Sequence, residues 1–195
     1  MMKYLIKIFI FIGFIFVIPI ILFSLVLVFF EDGSPLIFTQ KRLGKNKKIF
    51  KIYKIRTMKK NTPSKGTHEV EKDNYLFVGS ILRKTKIDEL PQLLNFFRGD
   101  INLIGPRPGL DNQHELKKLR DEYNVYTVKP GITGLSQVLG YDMSNPEILA
   151  KVDSLYIKRR NIQTDFYILL ATFFKYFRNK LLKIHKIEIG EINNV

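Results

Sequence analysis

Residues 8–30 read IFIFIGFIFVIPIILFSLVLVFF and contain no charged side chain. As an α-helix they would be about 35 Å long, enough to cross a hydrocarbon core of about 30 Å. The stretch is too long for the apolar region of a cleaved signal peptide, and no small-x-small cleavage site follows it. A soluble core helix of this length would keep a polar face. The sequence therefore predicts a segment that enters the bilayer.

Pro19, near the middle of this stretch, leaves two topologies open. Its missing N–H leaves the carbonyl of Ile15 without a helix partner. The helix is then either kinked and crosses once, or breaks at Ile18 and Pro19 and returns to the same face. Half of residues 41–60 are Lys or Arg and none is acidic, so the downstream flank is predicted to be cytoplasmic. The upstream flank is also basic without acids, which mildly favours the re-entrant topology.

Composition restricts the function further. The 195 residues suit one domain with an appendage, and 32 basic against 18 acidic residues indicate an anionic partner such as nucleic acid, a phosphorylated substrate or an acidic membrane. The absence of cysteine excludes disulfides and thiolate metal sites. His68, His114 and His185 are too scattered to indicate a zinc site. No Walker A, G-x-S-x-G or H-E-x-x-H motif is present.

The rest of the chain alternates strand-like, loop-like and helical patterns. One or two short strands are predicted in residues 47–58, a surface loop in 61–73 and a short helix in 75–83. Further helices are predicted to start at caps or first-turn residues, namely Asp111, Asn145 with Pro146, and Thr164 with Asp165.

The last of these helices carries a long apolar and aromatic stripe with lysines and an arginine on its other side. The stripe packs either against the core or against an anionic membrane surface, and the sequence leaves both open. Its residues are Phe166, Leu169, Leu170, Phe173, Phe174, Phe177 and Leu181.

Residues 84–92, KTKIDELPQ, place two carboxylates side by side in a basic chain. Helix capping explains them, with Asp88 as N-cap, Glu89 as N1 and Pro91 as N3, where no N–H is needed. A reactive pair explains them as well. Neighbouring helical residues point about 100° apart, so one carboxylate could attack as a nucleophile while the other holds a divalent cation. In the segment GPRP, Arg107 lies between prolines and is either a rigid phosphate-binding arginine or a surface residue.

Together these motifs resemble the bacterial sugar transferases, a family of small monotopic phosphoglycosyl transferases. The matching segments keep the family's order along nearly the whole chain. They are GSPLIFTQKRLG (33–44), FKIYKIRTM (50–58), LRKTKIDELPQLLN (82–95), RGDINLIGPRP (98–108) and VKPGITGLSQVLG (128–140), followed by Asp153, Tyr156 and Asp165.

The resemblance implies transfer of a phospho-sugar from a UDP-sugar to polyprenyl (undecaprenyl) phosphate, with release of UMP, in two Mg²⁺-dependent steps. Asp88 matches the nucleophile that takes the phospho-sugar covalently, and Glu89 matches its metal-binding neighbour. Other matched positions are expected to bind substrate: Arg56, Arg83, Arg107, Gln137, Asp153 and Asp165.

The implied fold is α+β and mainly helical, with a small β-hairpin and amphipathic interfacial helices. Residues 1–32 would form a re-entrant membrane helix broken at Ile18 and Pro19, and residues 33–195 a catalytic domain on the cytoplasmic face. Both termini would lie on the cytoplasmic side of the inner (plasma) membrane. Expected partners are a UDP-sugar, polyprenyl phosphate and phospholipid, with a second copy of the chain or later enzymes of the same glycan pathway.

The chain departs from the family pattern at several positions. Ile18 replaces a serine, Leu135 a tryptophan, Ser136 an alanine and Tyr141 an arginine, which leaves the identity of the sugar open. A membrane-tethered nucleic-acid-binding protein is the alternative from another class and rests on the charge excess. A basic belt facing anionic lipid headgroups explains the same residues, so no nucleic acid partner is expected.

Overall fold

The computed structural model describes residues 2–62 and 72–184. Most of the predicted loop at 61–73, together with His68 and His185, therefore lies outside the described residues. By contacts the chain divides into two units, Met1–Gln40 with Lys51–Gly99 (unit 1) and Lys41–Phe50 with Asp100–Val195 (unit 2). The predicted boundary between residues 32 and 33 refers to the membrane and stays a prediction.

The apolar stretch forms a single helix, α1 (Met2–Asp32), with Pro19 inside it. The expected break at Ile18 and Pro19 is therefore not present as an end of helical structure. Proline is tolerated in membrane helices where neighbouring helices, Ser or Thr side chains, water or a local change of helix geometry satisfy the freed backbone groups. Among the described residues, Gly13–Asp32 is the one segment long and apolar enough to cross a membrane, judged by length and composition. Whether α1 crosses or re-enters the bilayer stays a prediction.

The small β-hairpin implied by the resemblance is present, and the predicted β-forming stretch 47–58 supplies its second strand. Strands β1 (Ile37–Leu43) and β2 (Ile49–Ile55) pair in a two-stranded antiparallel sheet. The connection between them contains Asn46 and Lys47 with φ of 53° and 60°, and this left-handed backbone allows the tight reversal. The ends of the hairpin near residues 40 and 51 belong to unit 1, and its tip belongs to unit 2.

Unit 1 continues with α2 (Phe77–Thr85), a 3₁₀ helix (Ile87–Gln92) and α3 (Leu93–Arg98). The predicted helix near residues 75–83 is thus confirmed. The unit's apolar core joins α1 to the hairpin and to α2. Its buried members are Val28, Ile55, Leu76 and Leu82.

Unit 2 contains a second, parallel strand pair that the sequence did not predict. Strand β3 (Asn102–Ile104) pairs with β4 (Gly131–Thr133), with Asn102 opposite Gly131. The two segments cross so closely that a Cβ on Gly131 would lie 2.1 Å from the backbone nitrogen of Gly105. Glycine is required here for space.

Five helices complete the described part of unit 2. They are α4 (His114–Glu122), α5 (Leu135–Leu139), α6 (Pro146–Arg159), α7 (Ile162–Phe173) and α8 (Lys175–Ile184). The predicted cap of α6 is confirmed, since the Asn145 side chain accepts a hydrogen bond from the Ile148 N–H at 3.1 Å. The predicted cap of α4 is wrong. Asp111 instead pairs with Lys117 at 2.6 Å, and α4 begins after Gln113.

The helix predicted after Thr164 is two helices, because Phe174 has an extended backbone (ψ 109°) that ends α7. The rings of Tyr167 and Phe177 lie 6.3 Å apart, whereas a straight helix would separate them by about 15 Å. Helix α8 therefore folds back on α7. The predicted stripe divides accordingly: Leu181 is buried, while Phe166 and Phe173 are 58% and 69% exposed.

Candidate active site

Asp88 lies in the first turn of the 3₁₀ helix Ile87–Gln92, which we call the Asp88 turn. The N-cap is Lys86, whose left-handed backbone (φ 59°) ends α2 and starts the new turn directly. The prediction that Asp88 is the N-cap is therefore wrong, because no extended residue separates the two helices. Pro91 falls later in the same turn, where its missing N–H removes the donor that would reach the Asp88 carbonyl.

The two neighbouring carboxylates have different surroundings. Asp88 is 5% exposed, whereas Glu89 is half-buried and its Oε1 accepts a hydrogen bond from Lys54 Nζ, in β2, at 2.5 Å. Successive residues of a 3₁₀ helix point about 120° apart, so the carboxylates face different directions. This arrangement suits two separate tasks and disfavours symmetric acid–base work on one atom. Sequence reasoning missed Lys54, which is one of many lysines in the basic stretch.

Arg83, in the last turn of α2, is held by neighbours in unit 1. Its Nε donates to Thr57 Oγ1 at 2.8 Å and its Nη1 to the Tyr75 hydroxyl at 3.2 Å. The guanidinium carbon also lies 4.8 Å from the centre of the Tyr75 ring. Helix α2 reaches Thr57 at backbone distance because Gly79 has no side chain: a Cβ there would lie 2.2 Å from the Thr57 carbonyl oxygen.

Arg56 is 6% exposed and holds the C-terminal end of α1. It is paired with the Asp32 carboxylate and donates to the carbonyls of Asp32, at 3.1 Å, and Gly33, at 2.6 Å. A cation at a helix C-terminus is favourable because the last carbonyls carry negative partial charge. These contacts favour a structural role for Arg56. Its predicted contact with substrate stays a prediction.

In unit 2, residues 105–110 form a loop, the Arg107 turn, whose backbone is held at almost every position. Successive carbonyls accept hydrogen bonds from separate donors. These are Pro106 from the Gly131 N–H at 2.9 Å, Arg107 from Arg120 at 2.8 Å, Pro108 from Arg42 at 3.1 Å and Gly109 from the Leu43 N–H at 3.0 Å. The half-buried Arg107 side chain therefore extends from a fixed backbone.

The remaining predicted residues of unit 2 are close to its core. Gln137 Nε2 donates to the Ile132 carbonyl at 3.0 Å, and its buried Oε1 has no hydrogen-bond partner within the described part of the chain. Asp165 accepts from the Tyr156 hydroxyl at 2.7 Å and from Arg160 at 3.3 Å. Burial and the Asp165 contact raise the pKa of Tyr156, so the phenol stays protonated and donates.

Asp153 is 1% exposed and lies between two donors. Its Oδ2 accepts from Arg120 at 2.6 Å and its Oδ1 from Ser136 Oγ at 2.8 Å. Burial raises the pKa of Asp153, and the Arg120 charge and the Ser136 hydroxyl oppose that shift. Arg120 was missed by sequence reasoning, although it shares a buried face of α4 with Leu116, four residues before it.

The predicted site residues thus fall in both units: Arg56, Arg83, Asp88 and Glu89 in unit 1, and Arg107, Gln137, Asp153 and Asp165 in unit 2. Within residues 2–62 and 72–184 no cluster of three or more His, Asp or Glu side chains could enclose a metal ion. Mg²⁺ commonly binds one or two carboxylates and completes its shell with water and substrate phosphates. Glu89, with a charged substrate, fits that type of site.

Comparison with known sequences relates these features to a family. The sequence model for bacterial sugar transferases matches residues 1–179. This chain belongs to the bacterial sugar transferase family. It is 39% identical over 153 residues to the uncharacterized sugar transferase EpsL of Bacillus subtilis (strain 168). The aligned region covers 78% of this chain and 75% of EpsL.

Longer relatives of the family match over a smaller share of their length. The chain is 35% identical over 167 residues to an Aeromonas hydrophila enzyme named UDP-N-acetylgalactosamine-undecaprenyl-phosphate N-acetylgalactosaminephosphotransferase, across 79% of this chain and 38% of that protein. It is 36% identical over 165 residues to the UDP-glucose:undecaprenyl-phosphate glucose-1-phosphate transferase of Caulobacter vibrioides (strain ATCC 19089 / CIP 103742 / CB 15), across 79% and 61%. The match thus spans less than two thirds of each of these enzymes.

Two of the positions where this sugar transferase departs from the family pattern, Leu135 and Tyr141, lie in well-packed parts of unit 2 or next to them. Leu135 is 2% exposed in the core of unit 2. At the end of α5, next to Tyr141, Arg178 of α8 donates to the Leu139 carbonyl at 2.6 Å. The fold thus brings an arginine to the turn where the family pattern has one and this sequence has Tyr141.

Proposed function

We propose that this sugar transferase moves a sugar phosphate from a UDP-sugar to undecaprenyl phosphate and releases UMP, the first membrane step of building a glycoconjugate. The single observation that carries the proposal is the Asp88 turn, with a buried carboxylate at Asp88 and a second one at Glu89 turned toward Lys54. The names of the Aeromonas and Caulobacter relatives specify undecaprenyl phosphate as the acceptor, and they support the choice of substrates.

In the first step, a carboxylate oxygen of Asp88 attacks the phosphorus that carries the sugar. A new O–P bond forms, the bond from that phosphorus to the bridging oxygen breaks, and UMP leaves with the bond's electrons. In the second step, a phosphate oxygen of the polyprenyl phosphate attacks the same phosphorus and the Asp88 carboxylate leaves. Burial of Asp88 supports this route because excluding water protects an acyl phosphate from hydrolysis.

Glu89 is the protein group that would hold Mg²⁺, together with the substrate phosphates. The bound cation would neutralise negative charge on the diphosphate. Lys54 balances the Glu89 charge at 2.5 Å and keeps its carboxylate oriented. Arg83 and Arg107 supply guanidinium groups of the type that binds phosphate oxygens in pairs.

Exposed apolar side chains support a location on the membrane. In α1, Phe16 and Phe30 are 75% and 81% exposed. In α7, Ile162, Phe166 and Phe173 are 80%, 58% and 69% exposed, and their spacing of four and seven residues puts them on one helical face. We propose that α1 is inserted and re-entrant, that this face of α7 lies in the interface, and that the catalytic residues work on the cytoplasmic side of the plasma membrane.

The test is UMP release by the full chain in lipid nanodiscs with Mg²⁺, undecaprenyl phosphate and, in turn, UDP-N-acetylgalactosamine, UDP-galactose and UDP-glucose. Asp88→Asn should lower the rate by about 10³-fold or more because it removes the nucleophile. Glu89→Gln should lower it and raise the Mg²⁺ concentration needed for half-maximal rate. Without acceptor, the wild-type chain should gain the mass of one sugar phosphate.

The control is Asp73→Asn, an exposed acid of unit 1, which should behave as wild type. UMP release by Asp88→Asn at a near-normal rate would rule out Asp88 as the nucleophile. A wild-type chain that releases no UMP with any of the three sugars, yet binds DNA in a strongly salt-dependent way, would favour the nucleic-acid alternative.

A further inference from the structure

Arg120 lies in the core of unit 2, with 1% of its surface exposed. Two of its guanidinium contacts point in different directions, and a third is with the Tyr126 side chain. Nη2 donates to Asp153 Oδ2 at 2.6 Å, and Nη1 donates to the backbone carbonyl of Arg107 at 2.8 Å. Ser136 Oγ donates to the other oxygen of Asp153 at 2.8 Å. One side chain of α4 therefore joins Asp153, in α6, to the Arg107 turn.

A contribution to stability does not by itself explain the buried ion pair between Arg120 and Asp153. The cost of removing both charges from water offsets most of their attraction, and well-packed apolar residues of similar volume often do as well or better. The pair does offer geometry, because a planar guanidinium can donate to a carboxylate and a carbonyl at the same time in fixed directions. Lysine keeps the charge but lacks this fork.

The contact with Arg107 differs from the other contacts of the Arg107 turn. The donors to Pro106, Pro108 and Gly109 hold the peptides on either side. Arg120 holds the carbonyl of Arg107 itself. The Arg107 side chain is half-buried. The orientation of the Arg107 carbonyl sets the direction in which this side chain leaves the backbone.

We propose that Arg120, held in place by Asp153, is a positioning residue that orients Arg107 toward the diphosphate of the UDP-sugar. This inference rests on the proposed function. In this inference Asp153 holds Arg120, and it does not make the substrate contact that was expected from the sequence. Arg120 itself touches no substrate, and its effect on binding passes through the Arg107 guanidinium.

The test is a double-mutant cycle on the full chain in nanodiscs, with whichever of the three UDP-sugars is turned over fastest and with UDP as a binding probe. Arg120→Lys should raise KM and the Kd of UDP about tenfold, with kcat changed by less than about twofold, because a displaced binding group weakens binding sharply. In an Arg107→Ala background the same change should alter KM and Kd by less than about twofold, since no guanidinium remains to be oriented.

Two controls separate positioning from general damage. Lys118→Met alters charge on the exposed surface of α4, where the Lys118 side chain is 80% exposed, and should leave KM and Kd unchanged. Ser136→Ala removes one donor to Asp153 without touching Arg120. It should raise KM about threefold, again only when Arg107 is present, and it keeps the inference testable if Arg120→Lys does not fold.

Equal effects of Arg120→Lys with and without Arg107 would overturn the inference, as would a loss of kcat and heat stability with KM and Kd unchanged. Either result would leave Arg120 as a structural residue. A wild-type chain that releases UMP while Arg120→Lys leaves KM unchanged refutes this inference alone. A wild-type chain that releases no UMP refutes the proposed function.

Discussion

Gly79→Ala tests the close contact between α2 and the segment after β2. Helix propensity alone predicts that alanine stabilises a helix interior by about 1 kcal/mol relative to glycine. The structure predicts the opposite sign, because the new Cβ would lie 2.2 Å from the Thr57 carbonyl oxygen and 2.7 Å from the Thr57 Cα. Carbon and oxygen normally approach no closer than about 3.3 Å. Helix α2 would therefore have to move by about 1 Å.

That displacement has a definite cost. The Thr57 carbonyl accepts from the Leu76 N–H at 3.1 Å, and the Thr57 hydroxyl accepts from Arg83 at 2.8 Å. Weakening both bonds costs about 2 kcal/mol and overpacking about 1–3 kcal/mol more. After subtracting the gain in helix propensity, Gly79→Ala should destabilise the protein by about 2–4 kcal/mol. For a chain of this length the midpoint of thermal unfolding should fall by about 5–15 °C.

The assay is the fraction of protein that stays soluble after heating, together with UMP release below the melting range. Gly13→Ala, in α1, is the matched control, because the added Cβ would meet no neighbouring atom within 4 Å outside its own helix turn. It should lower neither measurement. Helix α2 leads directly into the Asp88 turn, so Gly79→Ala should also lower activity in the protein that remains folded. Equal or higher heat stability of Gly79→Ala would refute the close contact.

Two further predictions concern the ends of α1. Arg56→Met should destabilise the protein by about 3 kcal/mol, because the carbonyls of Asp32 and Gly33 lose a charged donor. KM in the folded fraction should stay unchanged. A tenfold rise in KM at wild-type heat stability would show that Arg56 contacts substrate. Because the chain has no cysteine, Lys3→Cys and Asp73→Cys can be labelled singly, and neither should react with an impermeant maleimide until cells are permeabilised. Labelling of Lys3→Cys in intact cells would favour a single crossing.

Local patterns predicted the elements whose signals lie within one segment. The uncharged run predicted α1, the alternation of β-forming and basic residues predicted β2, and Asn145 before Pro146 predicted the start of α6. Each depends on neighbours within a few positions, where backbone preference and burial act together. The division between α7 and α8 has no glycine or proline to mark it. It follows from the packing of the folded-back helix.

The site was predictable to a similar extent. The Asp88 and Glu89 pair is visible because its members are adjacent, and the resemblance gave each a role. Lys54 and Arg120 were missed because their carboxylate partners lie 35 and 33 residues away. Any of the many lysines and arginines in this chain could have matched them by type, and only the fold selects which one reaches the acid.

The arginines show why residue type alone could not assign phosphate contacts. A guanidinium binds a phosphate, a carboxylate or a row of helix carbonyls through the same N–H geometry. In this fold Arg56 and Arg120, 6% and 1% exposed, are engaged with protein acceptors. Arg83 and Arg107 are half-buried, and we propose these two as the phosphate contacts. Arg56 holds the end of α1 and Arg120 holds the Arg107 carbonyl, so substitutions at the buried and the half-buried arginines should have different effects. Loss of Arg56 should lower stability, loss of Arg107 should raise KM, and loss of Arg120 should raise KM only while Arg107 is present.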